Sequence, residues 1–450
     1  MMLVDVKRQD TICALATPPL ESAIALVRVS GPNALEILQT IFQPKKNPQR
    51  FFVATLGDVL HIDEALCISY PQGKSYTGEP SFELCLHGNP LLVKQVLEAL
   101  KEAGCRMATP GEFSMRAVLS GKMDLCEAEA VSDLIHARSK EAAQAALRNL
   151  KGGLETCLAQ TRASIINALC ETEARLDFPD EDLGEKRSAE LLSDLQNGID
   201  TLARLLKGAQ LGARLTQGAR LVILGLPNAG KSTLLNALVG EEKALVYHLP
   251  GTTRDVLEAT WVVNGIPVCL VDVAGIREGD NLDPVEAMGI QKARQELARA
   301  DGVLWLVDGL DLDSAHTLDV QELLKENPAP VLKIHTKADL VDSEKANDKI
   351  WISAHTSEGL ETLQERIYQL LVQETPSPDE VLLTHARQKE EVEAAHEALL
   401  MAHEALKSGL VDEIVASELR SAGAALDRLL GTTLNEDVLD LIFSRFCIGK

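Results

Sequence analysis

A glycine-rich segment followed by lysine and serine is the strongest chemical signal in this sequence. Residues 225–232 read GLPNAGKS and fit the pattern G-x-x-x-x-G-K-[ST]. The segment follows an apolar run that predicts a strand, Leu221–Leu224, and it precedes a predicted helix. In that position the loop N–H groups wrap phosphates, and the helix N-terminus adds partial positive charge. We therefore expect Lys231 to contact the β and γ phosphates and Ser232 to bind Mg²⁺.

A second motif at the end of a strand predicts the rest of the magnesium site. Residues 272–275 read DVAG, fit D-x-x-G and follow the predicted strand Val268–Val271. Asp272 is expected to hold the water shell of Mg²⁺, and the Gly275 N–H is expected to sense the γ-phosphate. In the phosphate-binding loop the predicted nucleotide contacts are Asn228, Ala229, Gly230, Lys231, Ser232 and Thr233.

Two threonines lie between these motifs, in the sequence GTTRD at 251–255. A threonine in a mobile loop can bind Mg²⁺ while the γ-phosphate is present and leave it after hydrolysis. We assign Thr253 to Mg²⁺ and expect Thr252 to contact the nucleotide as well.

The base is predicted from two further strand ends. Residues 336–339 read TKAD and follow the predicted strand Val331–Ile334. Asp339 can accept hydrogen bonds from guanine N1–H and N2–H₂, whereas adenine would leave it unpaired. The segment SAH at 353–355 supplies backbone N–H groups for guanine O6. The residues assigned to the base are Thr336, Lys337, Asp339, Ser353, Ala354 and His355. Four ordered motifs predict GTP.

Two residues depart from the usual GTPase pattern. Thr336 stands where GTPases usually have Asn, and Thr cannot offer both an amide donor and an acceptor, so we expect weaker guanine binding. Ile276 stands where a water-positioning Gln is usual, so another group must orient the attacking water.

The elements that must position these motifs alternate between strand and helix, with Val303–Val307 and Ile350–Ile352 as further strands. Such alternation predicts a parallel, doubly wound α/β sheet. We predict an N-terminal α+β domain at 1–120, helical segments at 121–217 and 375–450, and the nucleotide domain inserted between them at 218–374. From Met123 to about Leu176 the helical pattern breaks only at Gly152-Gly153.

The amino-acid composition favours a helical protein without membrane spans. Of 450 residues, 46% are hydrophobic and 3% aromatic, which favours helix packing, and no run approaches the 18 to 20 apolar residues of a membrane span. The start carries no secretory pattern and the nine cysteines form no CxxC pair, so we expect reduced thiols and a cytoplasmic location. The net charge of −23 disfavours unassisted binding to nucleic acid. An RNA substrate would need a local patch or a basic partner.

Across nearly the whole chain, the motifs resemble those of the MnmE family, also called TrmE, of tRNA-modifying GTPases. The similar segments are ATPP at 16–19, SYTGE at 75–79, PGEFSMRA at 110–117, KMDLCEAEAVSDLI at 122–135, PNAGKST at 227–233, PGTTRDVLE at 250–258, DVAGIRE at 272–278 and FCIGK at 446–450. The resemblance implies a folate-binding N-terminal domain that dimerises, a helical domain and an inserted nucleotide domain.

The resemblance also implies the reaction. With a flavoprotein partner similar to MnmG (GidA), which carries FAD, the family adds a (carboxymethyl)aminomethyl group to C5 of the wobble uridine in certain tRNAs. A tetrahydrofolate, in the 5,10-methylene or 5-formyl form, supplies the one-carbon unit, and GTP is hydrolysed.

Family likeness further assigns the residues that replace the missing glutamine. Hydrolysis in the family is switched on when two nucleotide domains meet and K⁺ binds, and a monovalent cation there offsets charge between the β and γ phosphates. Asn228 matches the K⁺-coordinating asparagine, and Glu286 matches the carboxylate that orients the attacking water. The remaining residues assigned to K⁺ are Tyr247, Leu249 and Thr252, with Tyr247 also beside the nucleotide.

For the folate, the resemblance implies contacts from Arg28, Glu79, Lys122 and Lys450. A pterin offers donors to Glu79, and the glutamate carboxylates suit Arg28 or the lysines. Cys447, in FCIGK, lies on a segment that can reach the folate or the uridine, either as a nucleophile or as a positioning group.

Two other functions remain open at this point. A GTP-dependent binding switch in ribosome assembly would share the hydrophobic residue after D-x-x-G but would have no reason to carry the folate residues or FCIGK. A folate-binding scaffold with a degenerate nucleotide domain would fit Thr336, but the intact PNAGKST, GTTRD and DVAG segments argue against it.

Overall fold

The computed structural model describes residues 10–44, 50–51, 54–177, 185–240, 257–272, 291, 293–310, 324, 329–341, 349–372, 380–433, 439, 442–444 and 446–449. The chain forms two compact units, the first of residues 1–132, 149–182 and 404–450 and the second of residues 133–148 and 183–403. Several residues of the expected sites lie outside the described ranges: Tyr247, Leu249, Thr252, Thr253, Gly275, Glu286 and Lys450.

The helices are α1 Ala34–Ile41, α2 Pro90–Glu102, α3 Glu112–Leu119, α4 Leu125–His136, α5 Lys140–Leu150, α6 Gly153–Asp177, α7 Glu185–Gln217, α8 Lys231–Gly240, α9 Leu360–Leu371, α10 Ala386–Lys407 and α11 Asp412–Leu430. The helical pattern after Met123 has a second break, at residues 137–139, that the sequence analysis missed. Ser139 stands before α5 and its hydroxyl accepts the Ala142 N–H over 3.0 Å, so it acts as an N-cap.

The first unit contains an eight-stranded sheet. Its strands are β1 Ile12–Leu15, β2 Ser22–Ser30, β3 Phe42–Pro44, β4 Arg50–Phe51, β5 Ala54–Val59, β6 Asp63–Tyr70, β7 Ser81–Gly88 and β8 Arg106–Met107. The order is β3-β5-β6-β7-β2-β1-β8, with β4 on β5. The α+β character of residues 1–120 was predicted from the sequence, but the β5–β7 meander was not.

The two faces of this sheet carry different chemistry. Val27 and Val29 belong to the core that includes α1 and α2. Because side chains alternate along a strand, Arg28 and Ser30 point to the opposite face. On that face, Ile12 packs with Phe113 of α3.

In the same unit, α6 and α11 pack along one another, and Arg162 pairs with Asp427 at 2.6 Å. These helices precede and follow the nucleotide segment in sequence. Their packing joins the two helical segments expected on either side of the nucleotide domain, while the domain boundaries stay predictions.

The second unit contains a six-stranded sheet. Its strands are β9 Ala219–Gly225, β10 Leu257–Val263, β11 Ile266–Asp272, β12 Gly302–Asp308, β13 Val331–Thr336 and β14 Ile350–Trp351. The order is β10-β11-β9-β12-β13-β14, and all pairs are parallel except β10–β11. Five parallel strands therefore end at one edge, where ligands bind in open α/β sheets.

Strand β10 was not predicted and is antiparallel, so the sheet is not wholly parallel. It joins β11 through Asn264 and Gly265, whose φ angles are 45° and 89°. An Asn-Gly pair between two apolar runs is a strong hairpin signal, because both turn residues need positive φ. The Asn264-Gly265 pair is therefore a hairpin signal within the sequence itself.

Candidate functional site

The phosphate-binding loop lies between β9 and α8 in the second unit. Asn228 and Gly230 adopt positive φ angles of 68° and 89°. The Ala229 N–H donates to the Leu226 carbonyl over 3.2 Å, which closes the turn, and the Leu234 N–H donates to the Gly230 carbonyl over 2.9 Å. The loop therefore wraps the first turn of α8, whose N-terminus faces the edge where the parallel strands end.

Lys231 is held inside this loop. Its ammonium donates to the carbonyl oxygens of Gly225 at 2.9 Å and Leu226 at 3.1 Å. Burial lowers the pKa of Lys231, although the nearby Asp272 acts to raise it. A partly desolvated ammonium that is held by loop carbonyls can also bind an anionic phosphate placed in that loop.

The pair predicted for Mg²⁺ meets at this edge. The Ser232 hydroxyl donates to Asp272 Oδ2 over 3.2 Å. Asp272 Oδ1 is buried and has no hydrogen-bond partner among the described residues. Burial raises the pKa of Asp272, opposed by Lys231 and Ser232. A hydroxyl beside a carboxylate with an unsatisfied oxygen is a donor set that suits a hard divalent cation.

The residues predicted for the base follow β13 and β14. Asp339 is exposed, in a 3₁₀ turn at Ala338–Leu340. Lys337 has a φ of 60°, and its ammonium binds Asp308 at the end of β12 over 2.5 Å. The buried Thr336 hydroxyl donates to the Ala229 carbonyl over 2.9 Å, and so joins the base region to the phosphate loop.

The loop after β14 contains the three residues whose backbone N–H groups the sequence assigns to guanine O6. The Ser353 N–H donates to the Glu358 carbonyl over 3.0 Å. Because that donor is engaged within the protein, Ala354 and His355 are the better candidates to reach guanine O6.

A second cluster of functional side chains lies in the first unit, around Arg28. The guanidinium lies 5.3 Å from the ring centre of Tyr76 and 5.6 Å from that of Phe113. Arg28 Nε donates to Glu83 Oε1 over 2.8 Å, and Nη1 donates to the Gly449 carbonyl over 3.2 Å. The side chain is 13% exposed, so this cation lies among rings and polar partners rather than in open solvent.

Glu79 lies on the same side of the sheet. Its carboxylate accepts from the Ser30 hydroxyl at 2.7 Å and from Arg116 Nη1 at 3.2 Å to each oxygen. The Glu79 side chain is 28% exposed, and two carboxylate oxygens can accept further bonds. Its orientation is fixed before any ligand arrives.

The segment at 446–449 carries Cys447 to this cluster. Cys447 is exposed, and its carbonyl accepts the Gly111 N–H over 3.4 Å. Lys122, by contrast, is exposed and donates to the Gly73 carbonyl over 2.7 Å. Within the described ranges, Lys122 forms neither a hydrogen bond nor an ion pair with Arg28 or Glu79.

Comparison with known proteins identifies the family. The model of the MnmE helical domain matches residues 125–447, and that of the GTP-binding protein TrmE N-terminus matches residues 11–122. The tRNA modification GTPase MnmE of Thermotoga petrophila is 40% identical over 459 residues, covering 98% of this chain and all of the relative. That of Dichelobacter nodosus is 39% identical, covering 98% and 99%.

This chain belongs to the MnmE family of tRNA modification GTPases.

Among solved structures, the G domain of the T. maritima FeoB iron transporter is 26% identical and covers 34% of this chain and 98% of that domain. The TM-score of this match is 0.28, too low to indicate a shared overall fold. No helix in the described ranges combines the length and apolar character needed to cross a membrane. As an MnmE-family protein, the chain is a GTPase that acts in tRNA modification and binds GTP with Mg²⁺.

Several residues that contact members of the two candidate sites were not predicted from the sequence. Arg116 lies in the quoted segment PGEFSMRA and Tyr76 in SYTGE, so both were within reach of the motif comparison. Asp308 directly follows the predicted strand Val303–Val307, a position that parallel strands bring to the ligand edge. Glu83 has no local signal.

Proposed function

We propose that this GTPase uses GTP hydrolysis to drive addition of a (carboxymethyl)aminomethyl group to C5 of the wobble uridine in certain tRNAs. In this proposal it acts as a homodimer, together with a flavoprotein similar to MnmG. A tetrahydrofolate in the 5,10-methylene or 5-formyl form supplies the one-carbon unit. The observation that carries the proposal is the meeting of Arg28 with the carbonyl of Gly449, since it joins the expected folate residues to the segment with Cys447.

The nucleotide site supports the hydrolytic half of the proposal. Bound Mg²⁺ would neutralise charge on the β and γ phosphates. Lys231 would hold the phosphates, while Ser232 and Asp272 would hold the ion and its waters. Asp339 would accept from the guanine base, with the backbone of Ala354 and His355 facing O6. The roles of Thr252, Thr253, Gly275 and Glu286 remain predictions from the sequence.

Asn228 is the expected K⁺ ligand within the described part of the loop. Its φ of 68° is a conformation that most side chains disfavour, and Asn adopts it more readily than most. Its amide oxygen is the kind of ligand that suits a hard cation. We expect K⁺ bound there to speed hydrolysis, with Tyr247, Leu249 and Thr252 as its further ligands.

A comparison of GTP hydrolysis in KCl and in NaCl tests this step, with ATP as a control. Asn228→Gly retains the positive φ and removes the amide, so we expect it to lose the stimulation by K⁺. Asn236→Ala, an exposed position on α8, is the matched control. Equal rates in both salts for the native protein would refute K⁺ dependence and would favour a binding switch.

The folate half of the proposal rests on the Arg28 cluster. The rings of Tyr76 and Phe113 offer apolar faces, and Glu79 offers carboxylate oxygens to pterin donors. Arg28 and Lys122 would serve the glutamate carboxylates, together with Lys450. Mass spectrometry of tRNA nucleosides tests this half, with the flavoprotein present and tetrahydrofolate supplied or withheld. Modification that is equal without folate would refute it.

A further inference from the structure

The segment Phe446–Gly449, called the tail segment below, is seated at three points. The buried Phe446 ring lies 5.1 Å from that of Phe443, in an apolar cluster with α3 and α4. The carbonyl of Cys447 accepts the Gly111 N–H. Gly449 is buried and has a φ of 94°. The Cys447 side chain lies exposed between the buried Phe446 and Gly449, so its position follows from the three anchors.

Gly449 packs too closely on β1 to carry a side chain. A Cβ placed there would lie 2.5 Å from the Leu15 carbonyl oxygen. Gly111 is similar, because a Cβ there would lie 2.7 Å from the Phe443 carbonyl oxygen. Both glycines allow the tail segment and its preceding turn to approach the N-terminal sheet and α3 at backbone distance.

One side chain holds the last of these anchors. Arg28 Nη1 donates to the Gly449 carbonyl, and the Arg28 guanidinium is planar, so fixing Nε also fixes the direction of Nη1. Glu83 accepts from that Nε over 2.8 Å, directly across the strand pair β2–β7. Glu83 is 16% exposed, and its second oxygen accepts from the Tyr70 hydroxyl over 3.4 Å. The Glu83 carboxylate is therefore held by donors at both of its oxygens.

We propose that Glu83 is a positioning residue for the tail segment: it orients Arg28 toward the Gly449 carbonyl and thereby holds Cys447 beside the Arg28 cluster. The consequence of this seating for tRNA modification rests on the proposed function, which gives Cys447 a place in that reaction. The seating itself does not depend on folate or tRNA. Glu83 acts through Arg28 and touches no reacting group.

Protection of the tail segment from a broad-specificity carboxypeptidase tests the seating in the 450-residue chain. Glu83→Ala removes the acceptor of Arg28 Nε, and we expect trimming past Gly449, followed by intact mass, to be roughly tenfold faster, as for loss of one charge-assisted hydrogen bond. Glu83→Gln retains an acceptor oxygen, and we expect it to restore most of the protection. Unchanged trimming in Glu83→Ala would overturn the proposal.

Asp63→Asn is the matched control, because Asp63 is a buried carboxylate on the same sheet. It accepts from His87 Nδ1 over 2.7 Å. Equal acceleration in this variant would mean general loosening of the sheet and would also overturn the proposal. The unfolding temperature of each variant separates tail release from unfolding, since we expect release at temperatures where all variants remain folded.

The modification assay separates this inference from the proposed function. If Glu83→Ala releases the tail segment and tRNA modification falls while GTP hydrolysis is unchanged, both stand. If it releases the tail segment and modification is unaffected, the positioning of the segment stands, but Cys447 has no place in the reaction. If trimming is unchanged and Cys447→Ser abolishes modification, the proposed role of Cys447 survives and that of Glu83 fails.

Discussion

The hydroxyl of Thr336 donates a hydrogen bond to the carbonyl oxygen of Ala229 over 2.9 Å, across 107 residues of sequence. Thr336 ends β13, where the base is expected, and Ala229 lies in the phosphate-binding loop. The bond therefore couples the two ends of the nucleotide site. It also shows what the threonine contributes at a position where GTPases usually have asparagine: it anchors the loop, and its hydroxyl proton is already engaged.

Replacing Thr336 with Val should weaken GTP binding roughly fivefold to tenfold, since a buried carbonyl left without its donor costs about 1 kcal/mol or more. The change conserves shape and removes the hydroxyl. Titration with a fluorescent GTP analogue measures the affinity. Thr336→Ser keeps the hydroxyl and serves as the control. Equal affinity in the Val and Ser variants would contradict the coupling.

Lys231→Met should separate nucleotide binding from stability. Burial lowers the pKa of Lys231, so its positive charge destabilises the ligand-free protein. A bound phosphate would pair with that charge and offset the cost. We expect GTP affinity to fall by roughly a hundredfold, with an unfolding temperature in the absence of nucleotide that is unchanged or higher. Lys389→Met, on an exposed face of α10, is the control. A large drop in ligand-free stability would argue against this interpretation.

The parts of the fold that the sequence predicted are those with a local signature. Strand β9 is buried along most of its length, so it appears as an uninterrupted apolar run before the glycine-rich loop. Strand β7, Ser81–Gly88, alternates buried and half-exposed residues and carries Ser, Glu, Cys and His, so its pattern is weaker. Pro80 precedes the strand and Pro90 follows it, and prolines are signals of turns and loops rather than of strands.

The candidate sites divide in the same way. Two sequence motifs predict Lys231, Ser232 and Asp272, because each motif requires a particular residue type at a set distance from the end of a strand. The contact of Arg28 with Gly449 joins residues 421 positions apart, and no local pattern encodes it. The resemblance to MnmE named Arg28 and the tail residues, but the partner that orients Arg28 becomes visible only in the folded sheet.

Glu112→Gln should destabilise the first unit at neutral pH. Glu112 is buried and accepts from Arg106 at 2.6 and 3.0 Å and from Arg116 at 3.0 Å. Burial acts to raise its pKa, but hydrogen bonds from Arg106 and from the Thr109 N–H hold the pKa below its usual value. Loss of the charge weakens the hydrogen bonds to Arg116, which is 10% exposed, and to Arg106, which is 36% exposed and also pairs with Asp10. We therefore expect a cost of about 2 kcal/mol.

Hydrogen exchange of peptides that cover α3 measures this local stability. Since the folded state depresses the pKa of Glu112, its contribution is present above the unfolded value and is lost as the pH falls through the folded value. The difference between Glu112→Gln and the native protein should therefore shrink in acid. Glu98→Gln, in an exposed pair with Lys94, is the control and should change nothing measurable. A difference that grows in acid would exclude the assigned ion pairs.

Asp124→Asn should have the opposite dependence on pH. Asp124 precedes α4, where its Oδ1 accepts the Glu127 N–H over 2.6 Å, and its own N–H donates to Glu127 Oε2 over 2.9 Å. Its Oδ2 is buried with no hydrogen-bond partner in the part of the chain that the structure describes. Burial, with the carboxylates of Glu127 and Glu155, raises the pKa of Asp124 to about 6.

The direction in which the stability changes with pH follows from proton binding. Between the unfolded value of 3.8 and about 6, the folded state retains a proton that the unfolded state has lost, so stability falls as the pH rises through the folded pKa. Asparagine keeps the helix cap and has no charge to bury. We expect calorimetry to show Asp124→Asn more stable than the native protein at pH 8, by on the order of 1 kcal/mol after solvent screening, with the gain gone near pH 4. Glu413→Gln, an exposed acid in the first turn of α11, should not follow this profile. A gain that is independent of pH would mean that asparagine is simply the better cap, because relief of a buried charge must disappear once the carboxyl is protonated.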